Sequence, residues 1–286
     1  MRLASIDIGT NSVKLTVAEV EDQSIRNVLL ERTEITRLGE GVNKTNILQQ
    51  EAMDRTLVIL KDFKLSADSL GAQKIIAVAT SAMRDAKNRD EFIKSVNEAI
   101  NTELWVTTGD EEAELTFVGT CSDPQLCSKK LLLIDVGGGS TEFILGQNGI
   151  IEDKFSIDAG CVRLTEEFIH SDPISTDDIQ NIFKTLISLF YSRLSKIEMN
   201  ERELVGVGGT ITTLSAIHQG ISNYEVGNIH RYVMSKEDIV SLLSYLKRMS
   251  LEERKKVQGL HPKRADIIVA GAAIFSTIME ILKARE

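Results

Sequence analysis

The feature that most constrains how this chain can fold is a turn that it carries twice. Asp7-Ile8-Gly9-Thr10-Asn11-Ser12 follows an apolar run (Leu3, Ala4, Ile6) and precedes an alternating one (Val13, Leu15, Val17). Asp135-Val136-Gly137-Gly138-Gly139-Ser140-Thr141-Glu142 stands in the same way between Leu131, Leu132, Leu133, Ile134 and Phe143, Ile144, Leu145. Each reads as a strand, a tight glycine turn and a returning strand. A repeated Asp-aliphatic-Gly-x-x-Ser predicts two half-domains of similar build. With 286 residues, 42% of them hydrophobic, there is enough chain for two cores. If both halves present their turns to one cleft, a polyanion is gripped from two sides.

The residue types in these turns suit phosphate and a hard metal ion. Consecutive glycines let the backbone come close to an anion, and their N–H groups can converge on it. The second turn therefore reads as a phosphate cradle made by Gly137, Gly138, Gly139 and Ser140, with Asn11 and Ser12 opposing from the first half. Asp135 and Glu142 offer the oxygen ligands that magnesium takes, largely through its retained waters, with Asp7 assisting. A glycine-rich hairpin carrying two solvated acids is the competing reading of the central loop. A third glycine turn, Gly206-Val207-Gly208-Gly209-Thr210, feeds a helix, and Gly208, Gly209 and Thr210 there are candidate ligand contacts. A tight strand-to-helix connection with no ligand fits those residues equally well. No Walker lysine follows any of these glycines, which excludes a P-loop enzyme.

Charge and cysteine content narrow the setting. The net charge is −9 with scattered basic residues, which argues against a nucleic-acid duplex as partner. Cys121, Cys127 and Cys161 lack CxxC spacing, so neither a disulfide framework nor a zinc site is expected, and a reducing cytoplasm fits best. Cys161 reads as a small buried residue rather than a low-pKa thiol. The four histidines have no metal-ligand spacing. The chain begins at once with a core strand, leaving no room for a signal peptide. Its longest apolar stretch, Ile267 to Leu282, is short of a membrane span and reads as a buried helix.

Periodicity places the remaining parts. Val13 to Val20 and Ile25 to Thr33 pair as strands about a turn at Asp22-Gln23, and Gln49 to Leu70 has helical spacing of apolar residues. Lys74 to Ala79 is a strand whose end, Thr80-Ser81, can cap a helix bearing Arg84. Gly109-Asp110-Glu111-Glu112-Ala113 opens a further helix, and acids there complement the helix dipole. Cys121 to Lys130 is a polar break, giving domains 1–122 and 123–286, with the last helix able to pack back on the first domain. Ser175-Thr176-Asp177-Asp178 starts a long helix, and Pro262 lies just inside a helix start.

Taken together, the two turns, Thr80-Ser81-Ala82-Met83-Arg84-Asp85-Ala86-Lys87-Asn88, Gly109-Asp110-Glu111-Glu112-Ala113 and Gly206-Val207-Gly208-Gly209-Thr210 resemble the exopolyphosphatase / guanosine-pentaphosphate phosphohydrolase family. The resemblance implies an α/β, two-domain actin/hexokinase/Hsp70-like (ribonuclease H-like) fold with an interdomain cleft. It implies that Glu112 is the catalytic base and Arg84 a phosphate-binding cation. Glu114 stands where an arginine is frequent in the family. Ser156 with Gly160-Cys161-Val162-Arg163, and Arg264 with Asp266, match further family patterns that shape the cleft. The implied activity is Mg2+-dependent release of terminal phosphate from inorganic polyphosphate. Hydrolysis of guanosine pentaphosphate is the alternative, followed by a kinase or ATPase of the same superfamily and a non-catalytic alarmone sensor. The chain looks like the short two-domain form; oligomeric state is not readable from the residues, and the resemblance is compatible with a homodimer, dimers being common in the family.

Overall fold

The computed structural model of the chain describes residues 1–22, 24–221 and 226–286. The chain divides into two compact units, Met1–Pro124 and Gln125–Glu286. In the first, β1 (Arg2–Ile8), β2 (Ser12–Glu21) and β3 (Ser24–Ile35) form an antiparallel meander. Gln23, in the expected turn between β2 and β3, lies outside the described residues. The helices α1 (Val42–Thr45) and α2 (Gln50–Ser69) follow, then β4 (Lys74–Ala79) and α3 (Ser81–Asp85). After α4 (Arg89–Ile100), β5 (Leu104–Val106) completes the sheet and α5 (Gly109–Thr120) follows it. β4 runs parallel to β1 and β5 parallel to β4, giving the order β3-β2-β1-β4-β5. Along β1 the buried residues are Ala4, Ile6 and Ile8, every second position, so one face of the strand enters the core. There they join Leu60 and Phe63 of α2 and Phe92, Val96 and Ile100 of α4.

The short α6 (Pro124–Cys127), a single helical turn inside the expected polar break, carries the chain across the unit boundary. β6 (Lys130–Val136), β7 (Thr141–Gln147) and β8 (Ile150–Ile157) form the next meander. α7 (Cys161–Phe168) and α8 (Thr176–Leu194) lead to β9 (Glu203–Val207), parallel to β6, and to α9 (Gly208–Gln219). The strand order β8-β7-β6-β9 repeats β3-β2-β1-β4 of the first unit. This duplicated sheet is the ribonuclease H-like build of an actin-like α/β chain, as the resemblance implied. Then come α10 (Val226–Ile229), α11 (Lys236–Leu246), α12 (Leu251–Arg254), a 3-10 turn at Pro262–Arg264 and α13 (Ile268–Leu282).

Two apolar runs fold as their sequence pattern led one to expect, one as a strand and one as a buried helix. Leu131 to Ile134 are all at most 1% exposed, because β6 is covered on both faces. α13 is buried on every side from Ile268 to Met279, and packs on α7, α8, α9 and α11 of its own unit. Among the described residues no helix is long and apolar enough to cross a membrane.

Candidate active site

The two repeated turns close in the same way. The Gly9 N–H donates to the Ser12 carbonyl at 3.0 Å, and the Gly137 N–H donates to the Ser140 carbonyl at 3.0 Å. Gly137, Gly138 and Gly139 do not adopt the left-handed backbone. Gly160 lies directly on the Gly138–Gly139 peptide, where a Cβ would collide. From there the start of α7 takes up the loop's carbonyls. Cys161 N–H donates to Gly137 O at 3.0 Å, Val162 and Arg163 N–H to Gly138 O at 2.8 and 3.1 Å, and Arg163 Nε to Gly139 O at 2.9 Å. In a trans peptide the N–H points opposite to its carbonyl. The amides of Gly138, Gly139 and Ser140 are therefore turned away from α7 as a group. Those of Gly138 and Gly139 meet no acceptor among the described residues. Gly137 differs, since its N–H is used to close the turn.

The acids flanking this loop share one row of the sheet. Asp135 on β6 is paired with Glu142 on β7, and Glu142 with Ser156 on β8. Directly opposed residues of antiparallel strands project on the same face about 5 Å apart at Cβ. Glu142 is fully buried, and the Ser156 hydroxyl donates to its Oε1 at 2.8 Å. The third glycine turn joins this group, because Asp135 is also paired with Val207 and its carboxylate occupies the space a Cβ on Gly208 would need. Gly208 has φ +83°, and the Thr210 hydroxyl ties α9 to the loop by donating to Val136 O at 2.8 Å. Over Gly209 lies the Arg264 guanidinium, within 2.6 Å of where a Cβ would stand. Burial pushes the neighbouring Cys161 thiol up to about 11 against a partial lowering by Arg264, the opposite of a reactive cysteine.

Among the described residues no group of three or more His, Cys, Asp or Glu side chains could hold a metal ion. Two opposed carboxylates are nonetheless the usual protein share of a magnesium site, the rest being water and substrate phosphate. Asp135 and Glu142 fit that pattern. In the first unit the repeat diverges: Asp7 is paired with Lys14, and the two side chains approach to 3.4 Å. Lys14 follows Asp7 by the same spacing at which Glu142 follows Asp135. Superposing the two turns on paper would have found this cation.

Within the first unit, Arg84 and Glu112 meet. Arg84 Nη1 lies 2.6 Å from Glu112 Oε2 and donates to the Thr107 carbonyl at 3.1 Å, with both side chains 19% exposed. Thr107 is itself pinned by its N–H on Ala79 O at 2.9 Å, which continues the β4 end. The acidic run at the start of α5 is divided between two tasks. Glu111 completes a capping box with Thr108, receiving the Thr108 N–H at 2.7 Å, while Glu112 faces Arg84. Thr80, expected to cap α3, sits at the cap position without a side-chain hydrogen bond. At the first turn, Asn11 and Ser12 are 7% and 8% exposed, and the buried Asn11 Nδ2 has no partner among the described residues. Its carbonyl accepts the N–H groups of Thr36 and Arg37, and Gly39 N–H donates to Thr10 O, so the Leu38–Gly41 segment is built onto the first turn.

The Ppx/GppA phosphatase family profile matches residues 16–286. Exopolyphosphatase 2 of Mycobacterium tuberculosis is 34% identical over 99% of this chain and 92% of its own length. Among solved structures, the Ppx/GppA family member of Aquifex aeolicus is 33% identical with a TM-score of 0.81, covering 100% of this chain and 92% of its own. An exopolyphosphatase from Cytophaga hutchinsonii is 27% identical with a TM-score of 0.88, again covering 100% of this chain and 92% of its own. A chain that matches the family over residues 16–286 and aligns with these proteins along almost its whole length belongs to the Ppx/GppA phosphatase family and is a phosphoanhydride hydrolase.

Proposed function

We propose that this protein is an exopolyphosphatase, which removes the terminal phosphate of inorganic polyphosphate by hydrolysis. The observation that carries the reading is the contact between Arg84 and Glu112. A partly exposed carboxylate held by a guanidinium is a base kept in place until an anion competes for its partner. Phosphate oxygens draw Arg84 to themselves, and Glu112 is left to accept a proton from water. The oxygen of that water bonds to the terminal phosphorus, the bond to the bridging oxygen breaks, and the shortened chain leaves with its electron pair. In the second unit the unused N–H groups of Gly138 and Gly139 suit phosphate oxygens, and Thr210 and Gly208 brace the loop and Asp135. Asp135 and Glu142 are the residues that would hold magnesium, whose chemistry there is to neutralise charge on phosphate oxygens. The buried Nδ2 of Asn11, without a partner among the described residues, is a donor suited to a phosphate oxygen. The relatives' names support the choice of polyphosphate.

The test is phosphate release, with magnesium, from tripolyphosphate, long polyphosphate, guanosine pentaphosphate and ATP, beside Glu112→Gln. The expected result is release from polyphosphate, reduced by about 100-fold or more in the variant with polyphosphate binding retained, as for loss of a general base. Normal turnover in Glu112→Gln would remove that assignment. Preference for guanosine pentaphosphate would move the substrate to the nucleotide, transfer to an acceptor would indicate a kinase, and binding without turnover a sensor.

A further inference from the structure

Away from the glycine loop, the second unit has a cavity of about 540 Å³ at the opposite end of its sheet. Its wall includes Lys130, the first residue of β6, whereas the loop follows the last residue of that strand. Seven residues at about 3.3 Å each separate the two places by about 20 Å. The remaining wall comes from β7, β8, the C-terminal end of α8 and the segment that leads to β9.

Four cations, Lys130, Arg193, Lys196 and Arg202, line this cavity, against the carboxylates of Asp153 and Glu198. Two of the guanidinium groups are held in place. Arg193 sits 5.1 Å over the ring of Phe155, which is 6% exposed and stacks on Phe143 at 4.9 Å. Arg202 donates to Leu131 O at 3.3 Å and pairs with Glu152, with its side chain 10% exposed. By contrast, Lys130, Lys196 and Arg193 make no ion pair among the described residues. Asp153 accepts the N–H of Lys154, and neither it nor Glu198 makes an ion pair among the described residues. With Arg202 offset by Glu152, the wall still holds three cations, Lys130, Arg193 and Lys196, against two carboxylates. In a chain of net charge −9, that local excess in a concave site is a field shaped for an anion. Its volume lies within the range of small-molecule sites, about 300–1,000 Å³.

We infer that this cavity binds a compact phosphorylated ligand carrying two or more negative charges, separately from the glycine loop. The chemistry recognised is phosphate, which an inorganic polyphosphate or a nucleoside diphosphate can supply. The inference does not rest on the proposed reaction.

Two non-hydrolysed probes separate the sources: methylenediphosphonate, which has only the charged groups, and guanosine diphosphate, which adds a nucleoside. Each is titrated into the full chain while backbone amide resonances are followed by NMR. The expected result is saturable shifts at residues 153–155 and 193–202 with one or both probes, and affinity at those residues at least about tenfold weaker in Lys130→Glu/Lys196→Glu. Shifts at Gly138 and Gly139 should be unaltered by that variant. A preference for the phosphonate identifies an inorganic source, and a preference for guanosine diphosphate a nucleotide. No saturable shift at 153–155 and 193–202 up to millimolar probe, or an affinity unchanged by charge reversal, overturns the inference. Because both lysines lack ion-pair partners, the variant is expected to keep the wild-type melting temperature. If it does not, Lys196→Gln alone, which removes one charge without reversal, must still weaken binding.

Discussion

At the scale of single residues, the site depends on groups that hold other groups. Ser156 fixes one oxygen of the buried Glu142, so Ser156→Ala leaves both carboxylates present while loosening one. The expected outcome is a rise of about 10–100-fold in the magnesium concentration for half-maximal phosphate release, the usual cost of losing an outer partner of a metal ligand. Asp135→Asn should raise it further, and an unchanged metal dependence in that variant would leave Asp135 as a brace for Gly208 alone. Gly160 makes a different kind of contribution. A Cβ there meets the Gly138–Gly139 peptide, which cannot yield without moving the amides. Gly160→Ala should therefore cost about 1–3 kcal/mol in stability, read by denaturant titration, together with a loss of phosphate release larger than that destabilisation explains.

Among the elements, the helix starts carry much of the order. Ser175, Ser235 and Ser250 each form a capping box with an acid three residues on, as Thr108 does for α5. Ser175→Ala should lower stability by about 1 kcal/mol through α8. Asp178, the acid of that box, is 8% exposed and accepts the Ser171 hydroxyl at 2.5 Å. Burial opposes its ionisation, but hydrogen bonds from Ser171, Ser175 and the His170 N–H outweigh it and hold its pKa below the usual value. A carboxyl whose pKa is lowered on folding contributes fully above its unfolded pKa, about 4, and loses that contribution as pH falls through the lowered native value. The gap in melting temperature between the wild type and Asp178→Asn should thus be constant near neutrality and shrink below about pH 4. A gap that widened on acidification would contradict this assignment of the carboxylate.

For the molecule as a whole, a chain of charge −9 acting on a polyanion meets long-range repulsion that its local donors must overcome. Raising ionic strength from about 0.01 to 0.1 M shortens the screening length from about 30 to 10 Å. At fixed free magnesium, kcat/KM for tripolyphosphate should rise over that range, and a steady fall would show that a local cationic field governs encounter. The two-sheet architecture was readable because the core strands bury alternate or all positions, a property of short apolar runs beside glycine turns. The repeat itself was readable because Asp7 and Gly9 match Asp135 and Gly137 in spacing, and the same closing hydrogen bond follows from the same local backbone. Long-range partners were not readable from such patterns. That Arg84 meets Glu112, 28 positions away, depends on β4 and β5 lying side by side. That Glu111 caps α5 while Glu112 turns to the arginine depends on where Thr108 places the first turn. That residue 160 must be glycine was not readable either, because a Cβ there collides with the Gly138–Gly139 peptide only once α7 is packed on the loop. Local spacing thus determined the strands, the turns and the acids available to them. Tertiary packing alone decided that Glu112 faces Arg84 and which amides remain for a ligand, because those contacts join segments whose separation in sequence carries no periodic signal.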